Sequence, residues 1–182
     1  MKNSSIKNIA MSLFIIVALT SCNYAETLQS YYVANQETPN FISVDIPVSF
    51  VSVDNIDLTE DQKEAYESID KLNMLGYTLS EDNEEEYKAE LVKVQALLKD
   101  EKYQELFRGG NSTDGKIIIK YIGDGDSIDE LIIFGTANDR GFAIVRVLGD
   151  NMQPAKIMTL GDVVSKMSSE ETGVTDIMKF FQ

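Results

Sequence analysis

Three stretches in the C-terminal third of the chain are rich in apolar residues, and polar turn-forming segments separate them. These stretches are residues 116–122, 128–136 and 142–148. The segments between them, residues 124–127 and 138–141, are rich in Asp, Asn, Gly and Ser, which favour turns and tolerate positive φ. The pattern therefore predicts an antiparallel meander of three strands joined by two hairpins.

The N-terminal half begins with a helical pattern and continues with an alternating one. Residues 24–36 predict a helix that ends before Pro39. Residues 41–46 place alternate apolar residues on one side, which predicts a half-buried strand ending at Pro47. Residues 48–57 are rich in β-branched residues but irregular, so a second strand, a short helix and a loop all stay open for this segment.

A helix start is predicted at Thr59, because its side chain and that of Gln62 have the spacing of a capping box. Apolar residues then recur at helical spacing as far as Leu72. From residue 75 to residue 79 the period changes to two. The pattern predicts a helix followed by a strand.

The longest predicted helix begins at residue 82 or 83 and ends at Gly109. Its apolar stripe lasts about two heptads, which favours packing in the core over a coiled-coil seam. Two further helices are predicted at residues 158–167, with Thr159 as a possible cap, and at residues 174–181.

The order of these elements predicts an α+β fold. We expect a mostly antiparallel sheet with a C-terminal three-stranded meander, and helices packed on one face of the sheet. The first residues follow a different pattern, because a positively charged start precedes an almost unbroken apolar run at residues 9–19. That run has the length of a secretory signal and is too short to cross a bilayer.

The apolar run ends in Leu19-Thr20-Ser21-Cys22, which resembles the bacterial lipobox. This motif predicts cleavage between Ser21 and Cys22, attachment of diacylglycerol to the Cys22 thiol, and acylation of the new amino group, commonly as palmitate. Several acyl chains anchor a protein firmly, at about 0.8 kcal/mol per buried CH₂. The alternative is a buried core cysteine, and an internal disulfide is excluded because the chain has 1 cysteine.

This interpretation divides the chain into three parts. Residues 1–21 form a lipoprotein signal peptide, residues 22–40 a lipidated tether with an N-terminal helix, and residues 41–182 a single α+β domain. The chain has 16 basic and 30 acidic residues, a net charge of -14. So acidic a surface argues against binding to nucleic acid or to anionic lipid headgroups. Membrane contact is therefore expected through the lipid on Cys22.

Missing residue types narrow the chemistry further. The chain has no histidine, and its 1 cysteine is Cys22, which excludes Ser-His-Asp and Cys-His catalysis and His- or Cys-ligated metal sites. No P-loop or GxGxxG motif is present. We therefore predict no catalytic, cofactor-binding or metal-binding residues, no cofactor, and a protein that is not an enzyme. Carboxylate-pair chemistry, an oxygen-ligated metal and a Ser-Lys arrangement stay possible for an enzyme.

One acidic cluster has closely spaced oxygen ligands: Asp124, Asp126, Asp129 and Glu130. The EF-hand template needs an acidic or amide side chain at its fifth position. Ile128 occupies that position. The spacing therefore favours an exposed hairpin turn over a calcium site.

Several pieces of the chain together resemble domain-of-unknown-function family 4252. They are the lipobox, the strand at residues 41–46, the helix that starts at Leu58-Thr59, and the meander with its Asp129-Glu130-Leu131 and Arg146-Val147-Leu148-Gly149 segments. The resemblance implies a small envelope lipoprotein of Gram-negative, Bacteroidota-like bacteria, in a family often encoded beside extracytoplasmic-function sigma factors. It implies no active residues.

The leading functional hypothesis is a non-catalytic lipoprotein that binds a protein partner and serves envelope-stress regulation or maintenance. Residues 23–26 lack an acidic run after the cysteine, which favours a periplasm-facing protein at the inner or outer membrane. One alternative is a carboxylate-dependent glycan hydrolase, which needs two facing acids. Another is a binder of a small apolar ligand, which needs a cavity between sheet and helices.

Overall fold

Six antiparallel strands form one sheet in the computed structural model, which describes residues 26–54, 56–111 and 113–166. The strands are β1 (Phe41–Pro47), β2 (Ile69–Thr78), β3 (Gln104–Asn111), β4 (Gly115–Asp124), β5 (Ser127–Ala137) and β6 (Gly141–Met152). The helices in this part of the chain are α1 (Leu28–Asn35), α2 (Glu60–Glu67), α3 (Glu84–Leu97) and α4 (Pro154–Lys166), with a short 3-10 helix at Val48–Phe50.

The strand order across the sheet is β1-β2-β6-β5-β4-β3. Consecutive strands from β3 to β6 pair as hairpins, and β2 pairs with β6, so that β1 and β3 form the two edges. The predicted α+β class, the antiparallel sheet and the three-stranded meander are confirmed. The meander gains a fourth strand, β3, that the apolar pattern did not indicate.

The prediction of one helix from residue 83 to Gly109 is wrong after Leu97. Helix α3 ends at Leu97, and the chain turns before it enters β3. Phe107, which falls inside the predicted helix, lies opposite Ile119 of β4, so cross-strand pairing decides its conformation. Gly110 has a φ of 91°, and a Cβ there would lie 2.3 Å from the carbonyl oxygen of Gly115, so this hairpin end favours glycine.

The helix start at Thr59 is confirmed, but the helix is shorter than predicted. The Gln62 amide donates to the Thr59 hydroxyl at 3.3 Å, and the Thr59 amide donates to the Gln62 side chain at 3.0 Å. Helix α2 ends at Glu67, and Leu72 lies in β2 between Ile46 and Val147 of the neighbouring strands. Sheet pairing again overrides an apolar spacing that also fits a helix.

The helices cover both faces of the sheet, which corrects the prediction that they pack on one. Successive strand residues point to opposite faces, and Leu131-Ile132-Ile133-Phe134 in β5 is apolar at every position. Both faces of the inner strands must therefore be packed against other elements. The aromatic face, under α1 and α3, includes Leu75, Tyr77, Ile132, Phe134, Phe142 and Ile144. The aliphatic face, with α2 and α4, includes Ile69, Ile119, Ile128, Leu131, Val147 and Met152.

The segment after β1, left open by its sequence, forms the 3-10 helix and then irregular chain. The Tyr66 hydroxyl holds it by donating to the carbonyl oxygens of Val51, at 2.8 Å, and Val48, at 3.2 Å. Helix α4 begins at Pro154, four residues earlier than predicted. Thr159 is therefore not its cap, and its hydroxyl donates to the carbonyl of Lys156 inside the helix at 2.6 Å.

Two of the predicted elements fall outside the described residues. They are the signal peptide at residues 1–21 and the helix at residues 174–181. Within the part of the chain that the structure describes, no helix combines the length and the apolar character needed to span a membrane.

Candidate functional site

The predicted modification residues, Ser21 and Cys22, lie outside the described residues. The acidic cluster is placed around the hairpin between β4 and β5, where Asp124 pairs with Ser127. Glu130 is buried on the aromatic face and bonded to Arg146, so its oxygens face away from a shared site in the turn. Across the described ranges, no group of three or more acidic, His or Cys side chains is placed to hold a metal ion.

A buried ion pair joins Glu130 on β5 to Arg146 on β6. The exposed fractions of the two residues are 9% and 6%. The two guanidinium nitrogens Nε and Nη2 donate to the two carboxylate oxygens at 2.5 and 3.0 Å. This bidentate geometry is the strongest form of a carboxylate–arginine contact. The sequence did not predict the pair, because its members lie on different strands whose register no local pattern specifies.

The same arginine connects the sheet to α1. Its Nη1 donates to the Gln29 side-chain oxygen at 2.9 Å, and its guanidinium carbon lies 5.2 Å from the centroid of the Tyr32 ring. The Tyr32 hydroxyl donates to the carbonyl of Ile144 at 2.5 Å. Burial would lower the pKa of Arg146, but the hydrogen bond and charge of Glu130 outweigh it and raise that pKa. Arg146 therefore stays charged, and its contacts with Gln29 and Tyr32 hold α1 on the aromatic face.

A second polar contact joins α1 to α3. The Tyr31 hydroxyl donates to Glu90 at 2.8 Å, and the Lys93 ammonium donates to the other Glu90 oxygen at 2.5 Å. Burial, and after it the neighbouring Glu90, raises the pKa of Tyr31 far above its usual value. The carboxylate of Glu90 thus serves two donors, a role that orders the two helices.

An open depression of about 440 Å³ lies beside this contact, at the N-terminal end of α1 and the C-terminal half of α3. It is lined by Glu26, Lys93, Ala96, Leu97, Lys99 and Asp100. Four of these six residues are charged. It lies on the helices rather than between helices and sheet, where the apolar-ligand hypothesis placed its cavity.

Some of the large exposed apolar residues lie on or next to the edge strands, whereas Val33, Val92 and Met158 lie on helices. On β3 the exposed fractions are 40% for Leu106 and 49% for Phe107, and Phe50, just after β1, reaches 79%. Within β3, Glu105 and Arg108 flank Leu106 and Phe107 and form a bidentate ion pair at 2.6 and 2.9 Å. The three charged residues 100–102, which interrupt the apolar stripe after α3, are the sequence signal that marks the separate strand.

Of the three comparisons with known proteins, one finds a match. No curated protein matches the chain, and neither does any solved structure. The model of the domain of unknown function DUF4252 matches residues 31–160, a range that runs from α1 into α4 and includes all six strands. The chain therefore belongs to the DUF4252 family.

Proposed function

We propose that the protein is a lipid-anchored protein of the bacterial envelope that binds a protein partner and catalyses no reaction itself. The observation that carries this proposal is the sheet: helices cover its faces, and among the described residues its edge strands β1 and β3 each have a neighbouring strand on one side only. An open strand edge offers backbone donors and acceptors to an extended partner segment.

The exposed side chains support the same function. Leu106 and Phe107 place large apolar surface next to the open backbone of β3, and Phe50, in the 3-10 helix that follows β1, is also exposed. Contiguous apolar surface is typical of interaction sites. The buried acids Glu130 and Glu90, in contrast, are engaged with Arg146, Tyr31 and Lys93, an arrangement suited to holding helices in place.

The sequence supports the anchor. Leu19-Thr20-Ser21-Cys22 closes an apolar run of the length found in secretory signals. The chain has no second cysteine that could form a disulfide with Cys22. Thr27, the N-cap of α1, comes five residues after Cys22, so the lipid would hold the domain close to the membrane surface. The role in envelope-stress regulation or maintenance follows from the family resemblance.

The anchor is tested by expressing the full chain in a Gram-negative host and measuring the mass of its N-terminal peptide. We expect a peptide that begins at Cys22 and carries diacylglycerol, and a Cys22→Ser variant that is recovered without lipid in the soluble fraction. A mature chain with an unmodified Cys22 in the soluble fraction would refute the anchor.

Partner binding is tested by crosslinking a tagged, lipidated copy in its own cells and identifying the captured proteins by mass spectrometry. We expect one abundant partner that is lost in Phe50→Asp or Phe107→Asp. It should be retained in Val92→Asp, a matched control on α3 whose side chain is 65% exposed. Capture that is equal in all variants, or empty in the parent chain, would count against binding at the edges.

A further inference from the structure

The edge strand β3 differs from the other strands in its exposure. Seven of its eight residues, all except Gly109, are exposed, and the other side of its neighbour β4 is occupied by β5. We propose that β3 pairs antiparallel with β3 of a second copy of this chain, joining two six-stranded sheets into one. This step goes beyond the proposed partner binding, because it names a partner for one of the two edges.

The side chains of β3 favour a second copy as its occupant. Leu106 and Phe107 lie between the oppositely charged Glu105 and Arg108, which pair with each other within the chain; Leu106 forms a bulge, and Phe107 resumes the pairing with β4. In a two-fold register centred on Phe107, Arg108 of each copy lies opposite Leu106 of the other, one residue from its Glu105. The two Phe107 residues then meet at the centre of the contact, with a pair of opposite charges on each side of it.

Local charge favours the same contact. Residues 104–124, which include β3 and β4, contain three basic residues (Arg108, Lys116, Lys120) and three acidic ones (Glu105, Asp114, Asp124), whereas the whole chain has a net charge of -14. Two copies that approach through this hairpin bring neutral surfaces together, and their acidic remainders stay apart. Repulsion between like charges is thus smallest for this approach.

The symmetry of the contact suits two anchored chains. Antiparallel pairing of identical edge strands requires a two-fold axis perpendicular to the sheet, which leaves the aromatic face of both copies on the same side. Helix α1, the first described element after the lipidation motif, lies on that face. Both tethers would therefore point to one membrane. This last support rests on the proposed anchor, whereas the strand pairing does not.

The test uses the full, membrane-bound chain with a single added thiol. In Phe107→Cys, two-fold pairing about this position brings the two added thiols within disulfide range. We expect mild oxidation to give roughly tenfold more disulfide-linked dimer than in the matched variant Val92→Cys, because pairing raises the local thiol concentration. The parent chain measures any contribution of Cys22.

A charge exchange separates specific pairing from chance collision. Adding Arg108→Glu to Phe107→Cys should reduce the dimer several-fold, and adding Glu105→Arg as well should restore it. A dimer yield equal to that of Val92→Cys, or one that is unaffected by the single charge change, would overturn the proposal. Disulfide crosslinking of the Phe107→Cys variant to a different protein would also overturn self-pairing, while supporting partner binding at this edge.

Discussion

The two faces of the sheet are both buried, yet they are held together by different interactions. The aromatic face stacks ring on ring: Phe41 and Tyr77 lie 4.9 Å apart between centroids at 89°, and Tyr77 and Phe142 lie 5.7 Å apart at 18°. The aliphatic face is built from Ile, Leu, Val and Met side chains. Aromatic rings prefer particular distances and angles to their neighbours, whereas aliphatic side chains mainly fill volume.

Polar contacts follow the same division. On the aromatic face, buried hydrogen bonds from Tyr31, Tyr32 and Arg146 fix α1. On the aliphatic face, Lys156 of α4 contacts Glu64 of α2 and lies 3.5 Å from Asp61, both near the surface, and one partly buried hydrogen bond runs from the Gln62 side-chain nitrogen to the Thr159 carbonyl at 3.2 Å. Exposed ion pairs of this kind contribute little to stability. The comparison teaches that the position of α1 is specified by directional bonds and that of α4 mainly by packing.

The largest effect is expected from breaking the buried ion pair on the aromatic face. Arg146→Met leaves the Glu130 carboxylate buried without its partner and should lower the free energy of unfolding by about 4 kcal/mol. Replacing both residues, as Arg146→Met with Glu130→Leu, should recover most of that loss, because no buried charge is left unpaired. Urea denaturation measures both variants. A double variant as unstable as the single one would contradict this account.

A somewhat smaller effect is expected from a cavity on the aliphatic face. Leu131 is 1% exposed, and Leu131→Ala should lower the free energy of unfolding by about 3 kcal/mol through lost burial and the cavity left behind. No titrating group takes part, so the loss should be equal at neutral and alkaline pH. Urea denaturation at both pH values checks it, and a strongly pH-dependent loss would show that the two faces are not independent.

The differences between prediction and structure have one physical origin. Strands β5 and β6 were predictable because their apolar runs lie between turn-forming residues. The start of β2 was not, because Leu72 also fits a helical spacing, and β3 was not, because no glycine or proline separates it from the helical stripe before it. Only the partners across the sheet, Val147 for Leu72 and Ile119 for Phe107, make these segments strands. Tertiary pairing overrides local pattern at such positions.

The functional residues, too, could be predicted only where their signal is local in the sequence. The motif at Cys22 is local, so the sequence alone predicts it. The contact between Glu130 and Arg146 depends on the register of two strands, and the open edge at β3 depends on the order of all six. Neither can be read from spacing along the chain.

Alkaline pH should weaken the aromatic face selectively. Burial, and after it Glu86, raises the pKa of Tyr77 to about 12, and burial raises the pKa of Tyr31 and Tyr32 further. Unfolded tyrosine loses its proton near pH 10, so above that pH the unfolded state binds fewer protons and stability falls as pH rises. Below about pH 10 this contribution is fully present.

The measurement is the free energy of unfolding as a function of pH from about 8 to about 11, a range that brackets the ordinary tyrosine pKa. Tyr77→Phe should give a shallower fall above about pH 10 than the parent chain, because one titrating group is removed. Leu131→Ala, the variant on the aliphatic face, should keep the slope of the parent chain at a lower stability. Equal slopes in the parent chain and Tyr77→Phe would show that Tyr77 does not contribute.

The smallest effect is expected at the helix caps, because α1 on the aromatic face and α2 on the aliphatic face each begin with one. Thr27 of α1 and Thr59 of α2 both form capping boxes. Thr27→Ala and Thr59→Ala should each lower the free energy of unfolding by about 1 kcal/mol, because an amide at the helix start loses its acceptor. Thermal denaturation compares them. A loss at Thr27 well above that at Thr59 would mean that α1 also depends on its cap for docking.

The pairing of β2 with β6 sets the order in which the protein can fold. Because β6 lies between β2 and β5, the first two strands cannot join the meander until the chain has been made as far as Met152. The contact between Gln29 and Arg146 links residues 117 positions apart. Such long-range closure slows folding. For the export proposed above, a chain that stays open until its last strand emerges would keep the unfolded form that passage through a secretion channel requires.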